Sequence, residues 1–108
     1  MSGDVRALVV FTNLPDRDSA LALAQYLVEQ RVAACVNVLD GCTSVYRWQA
    51  QLHSEREVPV MIKTCSERFA ALRDAIRARH PYELPEIIAL PVSDALPEYL
   101  AWVSAETC

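Results

Sequence analysis

Glycine is nearly missing: the 108 residues contain two. A chain this poor in the most permissive residue is not dominated by loops. It has no glycine-rich phosphate cradle, no Gly-x-Ser-x-Gly turn to present a serine nucleophile, and no His-Glu-x-x-His metal pair. Its four cysteines, Cys35, Cys42, Cys65 and Cys108, form no Cys-x-x-Cys pair, which excludes a zinc ribbon and a thioredoxin-type motif. Basic residues are sparse and scattered, with no cluster beyond Arg73, Arg77 and Arg79, and the net charge is −4. That balance excludes a phosphate-binding footprint, so neither nucleic acid nor an anionic membrane is an expected partner. No apolar run approaches the roughly 20 residues of a membrane span. Asp4 and Arg6 interrupt the first ten residues, and the apolar run Ala7 to Phe11 is too short for a signal peptide. The expectation is a cytoplasmic protein with free thiols. Cys35, inside Val32-Ala33-Ala34-Cys35-Val36, reads as a buried small hydrophobe.

Apolar residues are plentiful, at 53%. The length predicts one domain, residues 1–108, large enough to close a core. The run Ala7 to Phe11 reads as a buried strand. Asp16 or Asp18 can then cap a helix to about Arg31, with Ala20, Leu23, Ala24, Leu27 and Val28 on one face. Val32 to Leu39 is a second strand, with Asp40-Gly41 as a turn or bulge. Thr43 to Trp48 continues extended, Gln49 to Leu52 turns the chain, and Glu55 to Thr64 is a third strand. Ser66 is expected to cap a second helix whose apolar face is Phe69, Leu72, Ala75 and Ile76. A fourth strand spans Ile87 to Val92, with Pro91 marking an edge or an end. Pro97 opens a last short helix.

This order predicts an α+β fold, a ferredoxin-like β-α-β-β-α-β sandwich with an extra C-terminal helix. Two helices would cover one face of an antiparallel sheet, yet strands one, three and four are apolar on both faces. The short last helix cannot cover the second face alone, so an oligomer is expected.

Polar chemistry concentrates in His80-Pro81-Tyr82-Glu83-Leu84-Pro85-Glu86, between the second helix and the last strand. Pro81 pushes His80, and Pro85 pushes Leu84, out of helical conformation, which makes a stiff connector. His80 is either a metal ligand or a helix-end residue that satisfies carbonyls. Glu83 and Glu86 are either a carboxylate pair for acid–base work or hard cations, or structural partners of Lys63 or an arginine. Lys63 would bind an anionic ligand or neutralise Glu57 or Glu86. Tyr46 and Trp48 alternate along one strand and would floor a pocket or form an interface pair. His53 reads as solvated. A Cys35–His80 thiol–imidazole pair has no local support, and no enzymatic activity is expected.

The combination Val32-Ala33-Ala34-Cys35-Val36-Asn37, Ser44-x-Tyr46-x-Trp48, Glu57, Lys63-Thr64, His80-Pro81-Tyr82-Glu83-x-Pro85-Glu86 and Tyr99-Leu100-x-Trp102 resembles the CutA family of divalent-cation tolerance proteins, nearly end to end. The resemblance implies a homotrimer with PII-like architecture, non-enzymatic, that binds copper or another divalent metal ion and needs no organic cofactor. It nominates His80 as the metal residue and Tyr46, Trp48, Glu57, Lys63, Tyr82, Glu83 and Glu86 around an inter-subunit cleft for a metal or small molecule. An anionic ligand in that cleft is the alternative. The chain departs from the family's proposed copper ligands: Thr12 stands where a cysteine is expected and Arg79 where a first histidine is. Ala50-Gln51 replaces a frequent glycine-lysine.

Overall fold

The computed structural model describes residues 6–108, so Asp4, on which the signal-peptide reading partly rests, lies outside the described residues. Along the chain run β1 (Ala7–Leu14), α1 (Arg17–Glu29), β2 (Cys35–Val38), β3 (Cys42–Trp48), β4 (Gln51–Cys65), α2 (Phe69–Arg79), β5 (Ile88–Pro91) and α3 (Pro97–Thr107). The expected mixed α+β fold is present, with three helices and one antiparallel sheet in the order β2-β4-β1-β5, to which β3 adds by pairing with β4.

Alternation along the strands divides the sheet into two faces. Val10 and Leu14 of β1 and Val60 and Ile62 of β4 are fully or almost fully buried and point to one side. Leu23 and Leu27 of α1 and Leu72 and Ile76 of α2 close over them in one core cluster. Each large side chain so buried contributes about 1.5–3 kcal/mol. Asp16 caps α1: its carboxylate accepts the Ser19 backbone N–H at 2.8 Å. That bond and the Ser19 hydroxyl lower its pKa.

Four local expectations are corrected. Val28 is exposed, and the α1 residue that packs toward α2 is Tyr26, with the Arg79 guanidinium 3.4 Å above its ring. Ser66 does not cap α2; it opens a single tight turn, and its hydroxyl accepts the Arg6 N–H at 3.4 Å. Residues Val32 to Ala34 form a buried turn, so β2 begins only at Cys35. The β3–β4 turn is two residues rather than four. Gln49 and Ala50 both take positive φ (50° and 65°) and β4 starts at Gln51. A primed hairpin turn is ordinarily marked by Asn-Gly, and its absence conceals this one.

The opposite sheet face carries Val9, Phe11, Met61, Lys63, Cys35, Asn37, Ile88 and Leu90, as the strand registers require. Helix α3 lies against β4 and β1 and is joined to β4 by a disulfide between Cys65 and Cys108. Cys65 and Cys108 are therefore not free, and the inference of a reducing cytoplasm loses its premise. Cys35 is half-buried, not fully buried, and with Cys42 remains a free thiol. Much of this second face is open, with Ile88 and Leu90 51% and 49% exposed and Leu96, Tyr99 and Trp102 exposed beside them. The molecule measures 48 × 24 × 23 Å, and its radius of gyration of 14.6 Å exceeds the ~13 Å of a compact chain of this size. The excess length is the β3–β4 hairpin, which extends beyond the helices as an arm.

Two outcomes follow. Thiol titration of the unfolded protein should give two thiols without reductant and four with it; four in both would contradict the Cys65–Cys108 bond. Thr12 Oγ1, fully buried on the helix-facing side of β1, has no hydrogen-bond partner among the described residues. Replacing it in Thr12→Val should stabilise by about 1 kcal/mol, read by urea unfolding, because an unpaired buried hydroxyl costs about 1–3 kcal/mol.

Candidate functional site

The connector from His80 to Glu86 is positioned by His80 itself. The helix ends at Arg79, and His80 turns extended (φ −78°, ψ 135°), as the following proline demands. Its side chain is 9% exposed. Nε2 lies 2.7 Å from the Asn13 carbonyl oxygen, and Nδ1 lies 3.2 Å from the Tyr82 backbone N–H. A carbonyl can only accept and an N–H can only donate, so both bonds require the neutral Nε2–H tautomer. Desolvation lowers the pKa of His80, opposed by the Asn13 bond and by the charge of Glu57. The imidazole thus ties the connector to the end of β1.

The tie brings the connector against the β3–β4 arm. In the hairpin register Cys42 opposes Glu57, Ser44 opposes Glu55, and Tyr46 opposes His53. Ser44, Tyr46 and Trp48 therefore share one face with Glu55 and Glu57. Tyr82, Glu83 and Glu86 line the same cleft from the connector side, together with Pro81 and Leu84. The cavity holds about 700 Å³. Tyr82 faces the arm: burial, followed by the nearby Glu57 carboxylate, raises its phenol well above the usual value. Burial and then Glu55 and Glu57 raise Tyr46 as well. His53 is not merely solvated. It stacks on Tyr46 (centroids 5.2 Å apart, planes 12° apart) and lies 3.7 Å from Glu55.

Six of the expected cleft residues thus meet: Tyr46, Trp48, Glu57, Tyr82, Glu83 and Glu86. Glu55 joins them, unforeseen because the arm's pairing register was not visible in the sequence. Lys63 does not join. It sits on the open sheet face opposite Cys35 and Val9, where its ammonium donates to the Asn37 side-chain oxygen. It pairs with neither Glu57 nor Glu86, so the anionic-ligand, PII-like alternative is not supported. Cys35 contacts the same Asn37 oxygen at 3.8 Å, so its thiol is not paired with His80.

The geometry also tests a resident copper centre, and the residues do not fit one within the protomer. Both ring nitrogens of His80 are already bonded. Thr12 is a buried hydroxyl, and Arg79 stacks on Tyr26. Among the described residues no three His, Cys, Asp or Glu side chains are arranged to hold an ion.

What the fold and cleft define is a small α+β domain with an acidic, aromatic cleft between a hairpin arm and a stiff connector. The family described as CutA1 divalent ion tolerance protein matches residues 8–106, and the chain belongs to that family. A divalent-cation tolerance protein CutA of Thermus thermophilus is 41% identical over 99 residues, covering 92% of this chain and 96% of that protein. Protein CutA of Mus musculus is 43% identical over 97 residues, covering 90% of this chain but 55% of its own length. The crystal structure of CutA from Xylella fastidiosa superposes with a TM-score of 0.92 at 41% identity, covering 95% and 99% of the two chains. No helix of the described residues is long and apolar enough to cross a membrane.

The His80 tie predicts a pH signature. Because its folded pKa lies below the ordinary 6.5, protonation favours the unfolded chain. The contribution is complete above about pH 6.5 and is lost as pH falls through the folded value. Urea unfolding of the wild type should show declining stability from pH 6.5 to pH 5, and His80→Ala should be less stable at pH 7.5 by about 1–3 kcal/mol with a flatter profile. Equal slopes for the two proteins would contradict the assignment.

Proposed function

We propose that this chain is a non-enzymatic cation-binding protein of divalent-cation tolerance, with a ferredoxin-like protomer that assembles as a homotrimer. One observation carries the reading. Glu55, Glu57, Glu83 and Glu86 all line the cleft, and no lysine, arginine or histidine does. Four carboxylates lining one cleft attract cations and repel anions. The relatives' names, which speak of tolerance to divalent cations, agree with that sign.

Hard divalent ions prefer oxygen ligands and retain some of their water, so dispersed carboxylates would hold such an ion through its hydration shell rather than by direct coordination. Copper, which favours nitrogen and sulfur, finds neither in the lining. The ion is cargo here, held loosely and exchanged. The exposed apolar surface of β5 and α3 supports the homotrimer, because a contiguous patch of this kind is uncommon on a monomer. An arm that reaches beyond its own helices supports it too.

Sedimentation should give three times the 12.1 kDa chain mass. Titration with Mn²⁺ should show binding that weakens about tenfold or more in Glu57→Gln/Glu86→Gln, since each lost charge–charge contact contributes on the order of 1 kcal/mol near a surface. Unchanged Mn²⁺ affinity in the double variant would overturn the cleft as the cation site. A monomer at every concentration would overturn the assembly.

A further inference from the structure

Resting on the reading of the cleft as a cation site, we infer that its preferred occupant is an organic ammonium ion, a quaternary or alkylated amine, rather than a bare metal ion. Three features of the cleft point to it. The first is size. A cavity of about 700 Å³ falls in the range of roughly 300–1,000 Å³ occupied by small organic ligands and is far larger than an ion with its first water shell. The second is the spacing of charge. Four carboxylates line the walls, yet no three acidic, histidine or cysteine side chains among the described residues are arranged to grip an ion. A compact dication needs converging oxygens at short range. An alkylated ammonium spreads its charge over its methyl groups, so carboxylates dispersed around it suffice.

The third is the aromatic wall. Tyr46 and Trp48 are two residues apart on β3 and lie on the same side of the arm, while Tyr82 lines the cleft from the connector. Aromatic rings lining a cleft attract a cation, and an ammonium with a weak hydration shell gains most from them. Two of the three rings are held in advance. His53 stacks against Tyr46, and His80 leans on Tyr82 with centroids 4.8 Å apart and planes 51° apart. The tyrosines also stay neutral phenols, since burial and the neighbouring glutamates raise them both. Pre-set rings spare the ligand the cost of ordering them. The leucine and proline of the connector, Leu84 and Pro81, supply apolar surface for the alkyl groups.

Choline chloride and its uncharged carbon isostere, 3,3-dimethylbutan-1-ol, test the inference in the full-length protein by calorimetry and tryptophan fluorescence. Choline should bind saturably, and the isostere more weakly by about tenfold or more. Trp48→Leu and Glu57→Gln should each weaken choline by a similar factor. Trp48 lies on the exposed arm, so folding of that variant is checked by circular dichroism and by thiol titration. Mn²⁺ should compete with choline. Equal binding of choline and the isostere would overturn the inference, because recognition would then be of shape alone. Mn²⁺ binding that depends on Glu57 without any choline binding would overturn it while leaving the cation cleft intact. Binding of neither would overturn both.

Discussion

The cleft depends on one side chain that was at first sight a ligand candidate. His80 spans the Asn13 carbonyl and the Tyr82 amide, and in doing so fixes the first residues of the connector against the end of β1. That tie sets where the proline-stiffened connector starts, and so where Tyr82 and the connector carboxylates stand relative to Glu57 and Glu55 of the arm. The tie works only with a neutral imidazole in one tautomer, because two N–H groups cannot face each other. A residue that could bind metal in another setting has spent both nitrogens on backbone.

The second constraint is the sheet. Burying Val10, Leu14, Val60 and Ile62 beneath α1 and α2 leaves Phe11, Met61, Ile88 and Leu90 on the other side. Helix α3, held by Cys65–Cys108, reaches part of that side. The arm and the open face are two consequences of the same long strand, β4. Its inner half builds the core and its outer half, from Gln51 to Glu57, builds the cleft. The open face and the cleft are thereby joined through one element: whatever docks on the face or the arm touches the strand that carries Glu55 and Glu57.

Much of this was legible in the residues. Continuous apolar runs named the strands and 3.6-residue periodicity named the buried faces of α1 and α2, because both patterns are imposed by burial. Pro81 and Pro85 announced a stiff connector, and Pro91 an edge strand. Three things were not legible. The hairpin turn at Gln49-Ala50 uses positive φ without glycine, so β4 seemed to start four residues later than it does and the place of Glu55 in the cleft went unnoticed. The pairing of Cys65 with Cys108, 43 residues away, depends on where α3 docks. Lys63 looked like a cleft residue because Glu57 and Glu86 were possible charge partners; it shares the side of β4 that carries Glu57 but lies six residues further along the strand, beside Asn37 and beyond the cleft.

The cleft depends on His80 being a neutral structural tie. Nitrogen-15 spectra of the imidazoles across a pH titration address it directly. The prediction is an Nε2–H tautomer for His80 at neutral pH, with a midpoint below 6.5 and no change of tautomer on adding Mn²⁺. An Nδ1–H tautomer, or a ring already protonated at pH 7, would contradict it.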